Sequence, residues 1–437
     1  MYPLVKTPPG VCQCGAGLLR RALFRYRFVL AGRNTVVQED VEYPALYLKR
    51  GEDARLRAGH LWVFANEVDV ARSPLASFQP GDTCVIVDAR DKPIGVGYVN
   101  PHSLICARLV ARGMEHPLDA SLLTHRLQVA LALRERLHAE PYYRLLYGES
   151  DGVPGLTLDR FDDVIVAQAT TAGIERLKPQ IEAAVQKVLK PRALIWKNDA
   201  GIRALEGLMS YADVGFGEPP GPLRVREGGI EFAVDAIGGQ KTGWFYDQRA
   251  NRDALAPFVK GARVLDMFAY LGAWGLRAAA MGATEVVCVD ASAPAVNLIG
   301  MNAERNGLAA RVRAERTDAF EFLKALRERR EHFDVVVLDP PAFVKRKKDL
   351  KEGALAYRRI NELAMQVLSR DGILVTCSCS YHMPRAALLD AVQKGARHLD
   401  RNVQVLQQLQ QAADHPVHPA IPETDYLKGF ICRVLPA

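Results

Sequence analysis

The sequence predicts an α/β protein of three domains, and three observations lead to this prediction. First, 437 residues exceed what one compact core holds. Second, short strand-like runs separated by Gly and Pro turns follow one another between residues 46 and 108, which is typical of a small β-barrel. Third, an apolar run at 264–267 enters a Gly-bearing turn and a helix, and a second apolar run then ends in Asp290. This third pattern predicts a doubly wound, Rossmann-like sheet.

The composition is ordinary for a globular protein, with 49% hydrophobic and 24% charged residues. A net charge of +7 is a mild basic bias that is compatible with a nucleic-acid partner. Eight cysteines in so long a chain predict no disulfide framework and favour a reducing, cytoplasmic location. No apolar run approaches the roughly 20 residues that span a bilayer, so no membrane partner is predicted. Cys12 and Cys14 have no second pair at zinc spacing, so no metal is predicted either.

Residues 1–43 are predicted to be an extension that is disordered or that precedes the true start, because Arg25 and Arg27 break its apolar segment. Residues 44–116 form the predicted β-barrel. Within it, Trp62 lies in a cluster of Lys, Arg and His side chains. Two interpretations of Trp62 stay open, a core position and a contact with RNA.

Residues 117–221 are predicted to form a linker helix and a small central α/β domain. Apolar residues recur at helical intervals over 118–137, and a hairpin-like segment covers 143–160. A strand, a helix and a strand follow between residues 164 and 196. Glu149 and Asp151 are either paired carboxylates for acid–base work or turn-forming acids, and the adjacent Gly152 and Pro154 favour the turn.

Residues 222–437 form the predicted C-terminal domain, which begins with a hairpin over 223–234. The stretch VLDMFAYLGAWG at 264–275 places Asp266, Phe268 and Gly272 where a doubly wound fold binds a nucleoside. It lacks the G-x-G-x-x-G fingerprint that cradles a pyrophosphate. We therefore expect these three residues to bind S-adenosylmethionine rather than a dinucleotide.

Lys241, Gln248 and Arg249 offer cationic and amide donors just before that stretch. Such donors suit a carboxylate, and the methionine carboxylate of the cofactor is the expected partner. The alternative is that Asp247 caps the following helix and that Arg249 is solvated.

Two acids follow the next strands of the predicted sheet. Asp290 is expected to accept hydrogen bonds from the ribose hydroxyls of the cofactor, and Asp318 from its adenine amino group. Either acid alone is equally compatible with a helix cap.

A buried strand over 333–338 ends in Asp339, Pro340 and Pro341. This turn projects polar groups into the crevice where doubly wound folds bind ligands, so Asp339 is predicted to contact both cofactor and substrate. Enzymes that methylate an exocyclic amine commonly carry an aromatic residue directly after the two prolines, where this chain has Ala342. The predicted substrate contacts are Pro340, Pro341, Phe343, Lys345 and Arg346, although the basic pair also suits a solvated loop.

A further strand over 373–376 leads to Cys377 and Cys379. The C5 carbon of a pyrimidine is too weak a nucleophile to take a methyl group unaided, so a thiolate first adds to C6. Alternation puts both cysteines on one face of the strand, and the later one is nearer the strand mouth. Cys379 is therefore the predicted nucleophile, and Cys377 is predicted to be an inert core residue.

Several separate motifs, in order from about residue 45 to the C-terminus, resemble those of the bacterial large-subunit ribosomal RNA cytosine-C5 methyltransferases of the RlmI type. The motifs are Gly59-His60-Leu61-Trp62-Val63-Phe64, Gly148-Glu149-Ser150-Asp151-Gly152-Val153-Pro154-Gly155, Lys241-Thr242-Gly243, Asp247-Gln248-Arg249, Asp339-Pro340-Pro341, Ser378-Cys379-Ser380 and Ala412-Ala413-Asp414-His415-Pro416. Two features depart from the family, namely Cys377, where an aromatic residue can stand, and residues 1–43.

The resemblance implies a PUA domain over 44–116, a central RNA-binding domain and a class I methyltransferase domain over 222–437. It implies S-adenosylmethionine as the cofactor, large-subunit ribosomal RNA as the partner, and 5-methylcytosine formed through Cys379 as the product. RNA uracil-C5 methylation uses the same thiolate addition and remains an alternative. A second alternative is a non-catalytic RNA-binding or ribosome-assembly factor with a vestigial methyltransferase fold. The target nucleotide and the base that removes the C5 proton stay open, as does the oligomeric state, for which a homodimer is one candidate.

Overall fold

The computed structural model describes residues 23–31, 36–239 and 242–437, with side chains from residue 42 onward. The strands in these ranges are β1 (Leu23–Ala31), β2 (Val36–Tyr47), β3 (Trp62–Phe64), β4 (Asp82–Val87), β5 (Pro93–Val99), β6 (Ile105–Arg112), β7 (Tyr142–Tyr147), β8 (Leu156–Phe161), β9 (Val164–Ala169), β10 (Ala193–Asn198), β11 (Tyr211–Gly217), β12 (Leu223–Glu227), β13 (Ile230–Val234), β14 (Arg263–Met267), β15 (Glu285–Asp290), β16 (Val312–Arg316), β17 (Phe333–Leu338), β18 (Leu368–Ser378), β19 (Arg401–Gln410) and β20 (Lys428–Pro436). The α-helices are α1 (Ala54–Arg57), α2 (Ala120–Leu137), α3 (Ala172–Arg176), α4 (Lys178–Leu189), α5 (Arg249–Asp253), α6 (Ala256–Val259), α7 (Ala273–Ala280), α8 (Ala293–Arg305), α9 (Ala319–Glu328), α10 (Leu350–Gln366) and α11 (Arg385–His398).

The N-terminal sheet has six strands in the order β1-β2-β4-β5-β6-β3. Its core is formed by small and branched apolar side chains, among them Val63, Cys84, Ile86 and Cys106. Strands β4, β5 and β6 are joined by tight turns and pair antiparallel, as the evenly spaced Gly and Pro turns predict.

Residues 23–31 and 36–43, within the segment predicted to be a disordered or mis-started extension, form strands in the structure. Strands β1 and β2 pair antiparallel from Leu23 with Pro44 to Ala31 with Val36, and they extend the N-terminal sheet. The arginines that seemed to break an apolar segment stand at every second position among aromatic and branched residues, which is a strand pattern. Residues 1–22 and 32–35 lie outside the described residues.

The central domain is a five-stranded sheet in the order β11-β10-β9-β8-β7, with α2 and α4 against it. The predicted hairpin over 143–160 is present as the antiparallel pair of β7 and β8. The predicted strand–helix–strand unit is β9, α4 and β10, and the two strands pair in parallel. Strands β12 and β13 form the separate hairpin that the sequence predicts before the C-terminal domain.

The C-terminal domain is built on a seven-stranded sheet in the order β16-β15-β14-β17-β18-β20-β19. Strands β14 to β18 are parallel, and β20 inserts antiparallel between β18 and β19. Apolar cores lie on both faces of this sheet, which accounts for strands that are apolar at nearly every position. The strand order reverses between β14 and β17, and doubly wound folds bind ligands at such a point.

A buried carboxylate joins the barrel to the central domain. Glu206 accepts hydrogen bonds from the Asn100 amide at 2.8 Å, the Ser103 hydroxyl at 3.0 Å and the Arg108 guanidinium at 2.9 Å. Burial alone would raise the pKa of Glu206, but the attraction of Arg108 and these hydrogen bonds lower it. The ionised carboxylate therefore stabilises this junction.

A buried arginine joins the central domain to the C-terminal domain. Arg134 donates to both carboxylate oxygens of Asp151 at 2.7 Å and to the backbone carbonyl of Asp414 at 2.8 Å. The Asp414 carboxylate in turn accepts from the backbone N–H of Arg144 at 3.0 Å and from His415 at 2.9 Å. Asp151 is thus held in a bidentate ion pair within this junction.

Candidate active site

The carboxyl ends of four parallel strands meet at one edge of the C-terminal sheet, and most predicted site residues follow these ends. Asp266 lies at the end of β14, Asp290 ends β15, Asp339 follows β17 and Cys379 follows β18. The order β15-β14-β17-β18 makes these strands direct neighbours, about 4.8 Å apart from one to the next. Asp318 follows β16, one strand further out.

The turn after β14 has a strained backbone. Phe268, Tyr270 and Gly272 all adopt left-handed conformations, with φ of 62°, 49° and 75°. A non-glycine residue in this region costs on the order of 1 to 3 kcal/mol, and such residues concentrate at functional sites. The backbone N–H of Tyr270 donates to Asp290 at 2.9 Å, which holds the turn in place. The turn is therefore a preformed loop at the mouth of the sheet.

Asp266 is fully buried beneath this turn. One carboxylate oxygen accepts from the backbone N–H of Gly275 at 2.9 Å, whereas the other has no hydrogen-bond partner among the described residues. Burial, with smaller contributions from the nearby Asp339 and Asp290 carboxylates, raises the pKa of Asp266 to about 8. Asp266, predicted to bind the cofactor, is thus a buried carboxyl group below the strained turn, and its raised pKa favours the neutral acid.

Asp290 and Asp318 are both held by backbone N–H groups. Asp290 accepts from Tyr270 and from the backbone N–H of Ser292, each at 2.9 Å. Asp318 caps α9 by accepting from the backbone N–H groups of Phe320 and Glu321 at 2.9 and 3.1 Å. Asp318 therefore performs the capping role that the sequence left open, and its side chain is exposed at the edge of the site.

Three partly buried phenylalanine rings and the buried ring of Tyr357 border these acids. The Phe343 ring lies 6.5 Å from that of Phe268, 6.4 Å from that of Phe320 and 4.8 Å from that of Tyr357, measured between centroids. Phe268 and Phe343 were both predicted to be site residues, one on the cofactor side and one on the substrate side. The structure places them in one cluster that spans the two sides.

Asp339 is fixed by two side chains from earlier in the chain. Its carboxylate oxygens accept from the Gln248 amide at 2.9 Å and from the Trp274 indole N–H at 3.1 Å. The Gln248 carbonyl accepts in turn from Asn251 at 2.6 Å, which sets the orientation of the amide. Gln248, predicted to bind the cofactor, therefore also orients Asp339. The role of Trp274 has no signal in the sequence.

The structure gives no support to a grip of Arg249 on the methionine carboxylate. Its guanidinium bonds the His138 ring at 2.7 Å and the backbone carbonyl of Tyr142, and its Nε lies 3.6 Å from a carboxylate oxygen of Glu227. The side chain therefore contacts His138 and Tyr142 of the central domain and Glu227 at the end of β12. Lys241 lies outside the described residues.

The two cysteines after β18 differ in depth. Cys377 is completely buried, and burial raises the pKa of its thiol far above the usual range. Cys379 is partly exposed, and its sulfur lies 4.0 Å from the carbonyl oxygen of Pro340 in the neighbouring turn. Of the two thiols, only that of Cys379 is therefore accessible to solvent or to a substrate, and it lies directly beside the Asp339 turn.

Flanking residues fix the segment around Cys379. The Ser378 hydroxyl donates to the Tyr357 hydroxyl at 2.8 Å, and the backbone N–H of Val344 donates to the Ser380 hydroxyl at 3.3 Å. Lys428, the first residue of β20, donates to the carbonyl of Ser380 at 2.7 Å. Burial lowers the pKa of Lys428 to about 8, while its attraction to Asp425 and to Cys379 opposes that decrease. Sequence analysis missed Lys428, because only the insertion of β20 beside β18 brings it here.

The remaining predicted substrate residues line the outer part of this turn. Pro340 is buried and Pro341 is exposed. Lys345 and Arg346 are exposed in the loop before α10, where Arg346 pairs with Asp349 at 3.0 Å. The loop thus presents positive charge to solvent close to Phe343.

Two further kinds of site were sought among the described residues. No group of three or more His, Cys, Asp or Glu side chains there is placed to hold a metal ion. No described helix is long and apolar enough to cross a membrane.

Two regions of the chain match known protein families. Residues 46–112 match the family model of a PUA-like domain, and residues 209–429 match that of an S-adenosylmethionine-dependent methyltransferase. The chain is 38% identical over 396 residues to the ribosomal RNA large subunit methyltransferase I of Photobacterium profundum, a match that covers 89% of this chain and 99% of that protein. The chain belongs to the ribosomal RNA large subunit methyltransferase I family.

A second member of this family, from Salmonella arizonae, is 38% identical over 398 residues, covering 90% of this chain and 98% of its own length. Among solved structures, a candidate methyltransferase named SMU.776, complexed with S-adenosylhomocysteine, superposes with a TM-score of 0.76 at 21% identity. A candidate S-adenosylmethionine-dependent methyltransferase from Streptococcus mutans superposes with a TM-score of 0.75 at 21% identity. Both matches cover 89% of this chain and 99% of the other, and they show the shared fold.

The cofactor of this methyltransferase is S-adenosylmethionine. The residues at the strand ends fit it, because the Asp290 carboxylate suits ribose hydroxyls and the strained turn is formed in advance. The Phe268, Phe320 and Phe343 rings offer an apolar surface for the adenine. The predicted contact of Asp318 with the adenine stays a prediction, and the cap of α9 fixes the position of its carboxylate.

Proposed function

We propose that the protein methylates C5 of a cytosine in large-subunit ribosomal RNA and that Cys379 is the nucleophile. The observation that carries this proposal is the position of Cys379, whose partly exposed sulfur lies 4.0 Å from the backbone of the Asp339 turn. The names of the relatives with 38% identity support the choice of RNA. The exposed positive charge after the turn and the PUA-like domain support it further.

The bound cofactor supplies an electrophilic methyl group, and the protein must make C5 nucleophilic. The Cys379 thiolate adds to C6 of a flipped cytosine, and the electron pair of the C5–C6 bond becomes available at C5. After C5 has gained the methyl group, loss of its proton to a base lets the C6–S bond break and returns the thiolate. Asp339 is fixed by Gln248 and Trp274 so that it accepts from the exocyclic amine of the cytosine.

Lys428 is proposed to support the thiolate. Its ammonium group is buried beside the Cys379 segment, and attraction between two opposite charges is strong where water is excluded. The same attraction that favours the charged Lys428 favours the ionised form of Cys379. Lys428 therefore positions and stabilises the nucleophile without touching the methyl donor.

The test uses purified protein, labelled S-adenosylmethionine and large-subunit ribosomal RNA that lacks this modification. Nucleoside analysis of the product is expected to give 5-methylcytidine, and 5-methyluridine would assign uracil chemistry instead. Cys379→Ala is expected to abolish transfer. Cys377→Ala is the matched control, because it removes a thiol two positions away that is fully buried, and this variant is expected to keep transfer. A Cys379→Ala protein with full activity would remove the nucleophile assignment.

A further inference from the structure

A cavity of about 210 Å³ lies where all three domains meet. The barrel contributes Trp62, the central domain contributes Tyr147, Glu149 and Thr157, and the C-terminal domain contributes Glu423. Ligand pockets form preferentially at domain junctions, and those for drug-sized ligands start at roughly 300 Å³. This cavity is smaller, so it suits one planar ring rather than a whole nucleotide.

The lining of the cavity combines aromatic faces with carboxylates. Trp62 is half-buried, and its indole N–H donates to one oxygen of Glu149 at 2.9 Å, which fixes both side chains. The Tyr147 hydroxyl donates to the backbone carbonyl of Thr424 at 3.1 Å. None of the described residues that line the cavity is Lys, Arg or His. A phosphate is therefore disfavoured there, whereas a flat ring that donates hydrogen bonds suits both features.

One rim residue of the cavity contacts the segment that carries Cys379. Tyr381, two residues after Cys379, is hydrogen-bonded through its side chain to Glu423 at the cavity rim. Glu423 also lies close enough to His60 of the barrel to attract it electrostatically. One carboxylate thus links the cavity, the nucleophile segment and the PUA-like domain.

We propose that this junction cavity holds one unpaired base of the RNA substrate, other than the base that is methylated. The base stacks on the aromatic faces of Trp62 and Tyr147, and its exocyclic amine donates to Glu149 or Glu423. Cytosine, adenine and guanine carry such an amine and uracil does not, so the cavity discriminates against uracil. This inference rests on the proposed function, because it takes RNA as the substrate.

The test measures binding of single-stranded C6, A6 and U6 ribonucleotides to the full chain by fluorescence anisotropy. Thr157→Phe fills the cavity from β8, where a phenylalanine suits a strand, and circular dichroism checks that it folds. Wild type is expected to prefer C6 or A6 over U6. Thr157→Phe is expected to lose this preference and to bind C6 roughly fivefold or more weakly, the equivalent of one lost stacking contact.

Charge variants separate recognition from general attraction to RNA. Glu149→Gln combined with Glu423→Gln is expected to reduce the preference for C6 and A6 over U6. Glu328→Gln removes one exposed carboxylate at the end of α9 and is expected to leave it unchanged. Quenching of tryptophan fluorescence by A6, which offers no cytosine to the candidate active site beside Trp274, is expected in wild type and not in Trp62→Phe, because the other three tryptophans are buried.

The outcomes distinguish this inference from the proposed function. Equal C6 binding by wild type and Thr157→Phe, with methyl transfer to ribosomal RNA intact, would overturn the cavity proposal alone. Base preference that depends on Thr157, without methyl transfer by wild type, would overturn the proposed function and leave the cavity proposal standing. Tighter binding of a lysine-rich peptide than of any hexamer, lost in Thr157→Phe, would assign the cavity to a cationic protein partner and overturn it.

Discussion

Replacing Asp266 by Asn is expected to change how the stability of the protein depends on pH. The carboxyl group is fully buried and has a pKa of about 8 in the folded protein, against 3.8 for an ordinary aspartate. The unfolded chain therefore loses this proton as the pH rises through about 4, while the folded protein keeps it until about 8. Since the pKa is raised on folding, its linkage lowers the stability of wild type progressively between pH 4 and pH 8.

The size of the effect follows from these two pKa values. Each unit of difference corresponds to about 1.36 kcal/mol. The linkage cost in wild type is about 2 kcal/mol at pH 5 and about 5 kcal/mol at pH 8. Asn does not titrate, is isosteric, and keeps the acceptor for the backbone N–H of Gly275. The difference in free energy of unfolding, Asn variant minus wild type, is thus expected to rise by about 3.5 kcal/mol between pH 5 and pH 8.

The assay is urea denaturation of both proteins at pH 5, 6, 7 and 8. Comparing the two proteins at each pH cancels every other titrating group that they share. If the free energies of unfolding of the two proteins change in parallel from pH 5 to pH 8, Asp266 does not titrate as its burial requires. The raised pKa assigned to the buried Asp266 would then be wrong.

Three other substitutions test the rest of the site. Trp274→Phe removes one hydrogen bond to Asp339 and is expected to slow methyl transfer roughly tenfold. Trp244→Phe removes a buried indole bond elsewhere and is expected to keep the rate per folded molecule; equal rates in both variants would remove the orienting role of Trp274. Gly272→Ala is expected to cost about 1 to 2 kcal/mol of stability for its left-handed backbone and to weaken S-adenosylmethionine binding in calorimetry, because a Cβ there meets Leu276 at 2.5 Å. Gly307 also has a left-handed backbone, but a Cβ added there meets no atom within 4 Å. The same loss of S-adenosylmethionine affinity in Gly307→Ala would therefore contradict an effect specific to the turn at Gly272. Lys428→Met is expected to raise the pH midpoint of the alkylation of Cys379 by iodoacetamide, and Lys428→Arg is expected to restore it. An unchanged midpoint in the Met variant would exclude electrostatic support of the Cys379 thiolate by Lys428.

The doubly wound sheet and the residues that follow its strands could be predicted from the sequence, because both depend on local patterns. A buried parallel strand is apolar along its length, and the polar residue that ends it marks the ligand edge of the sheet. Asp290, Asp339 and Cys379 were found in this way. The fold class is confirmed by the structure and by the family models.

The partners of the polar residues near the site could not be predicted, because they come from distant segments. Gln248 and Arg249 are adjacent in sequence, yet one orients Asp339 and the other faces His138 in another domain. Because both side chains carry hydrogen-bond donors, their chemistry alone predicts that both contact the methionine carboxylate of the cofactor. Lys428 is separated from Cys379 by 49 positions and reaches it only through the antiparallel pairing of β20 with β18.

The junctions at Glu206 and Arg134 have a consequence for the choice of substrate. Both tie neighbouring domains together with buried ionic hydrogen bonds, and breaking a buried pair costs several kcal/mol. These ion pairs therefore hold the PUA-like sheet and Cys379 at a fixed separation. An RNA must bend or unpair so that its target base reaches Cys379 while another segment contacts the PUA-like domain. The energy that the RNA needs for this deformation therefore contributes to the choice of substrate.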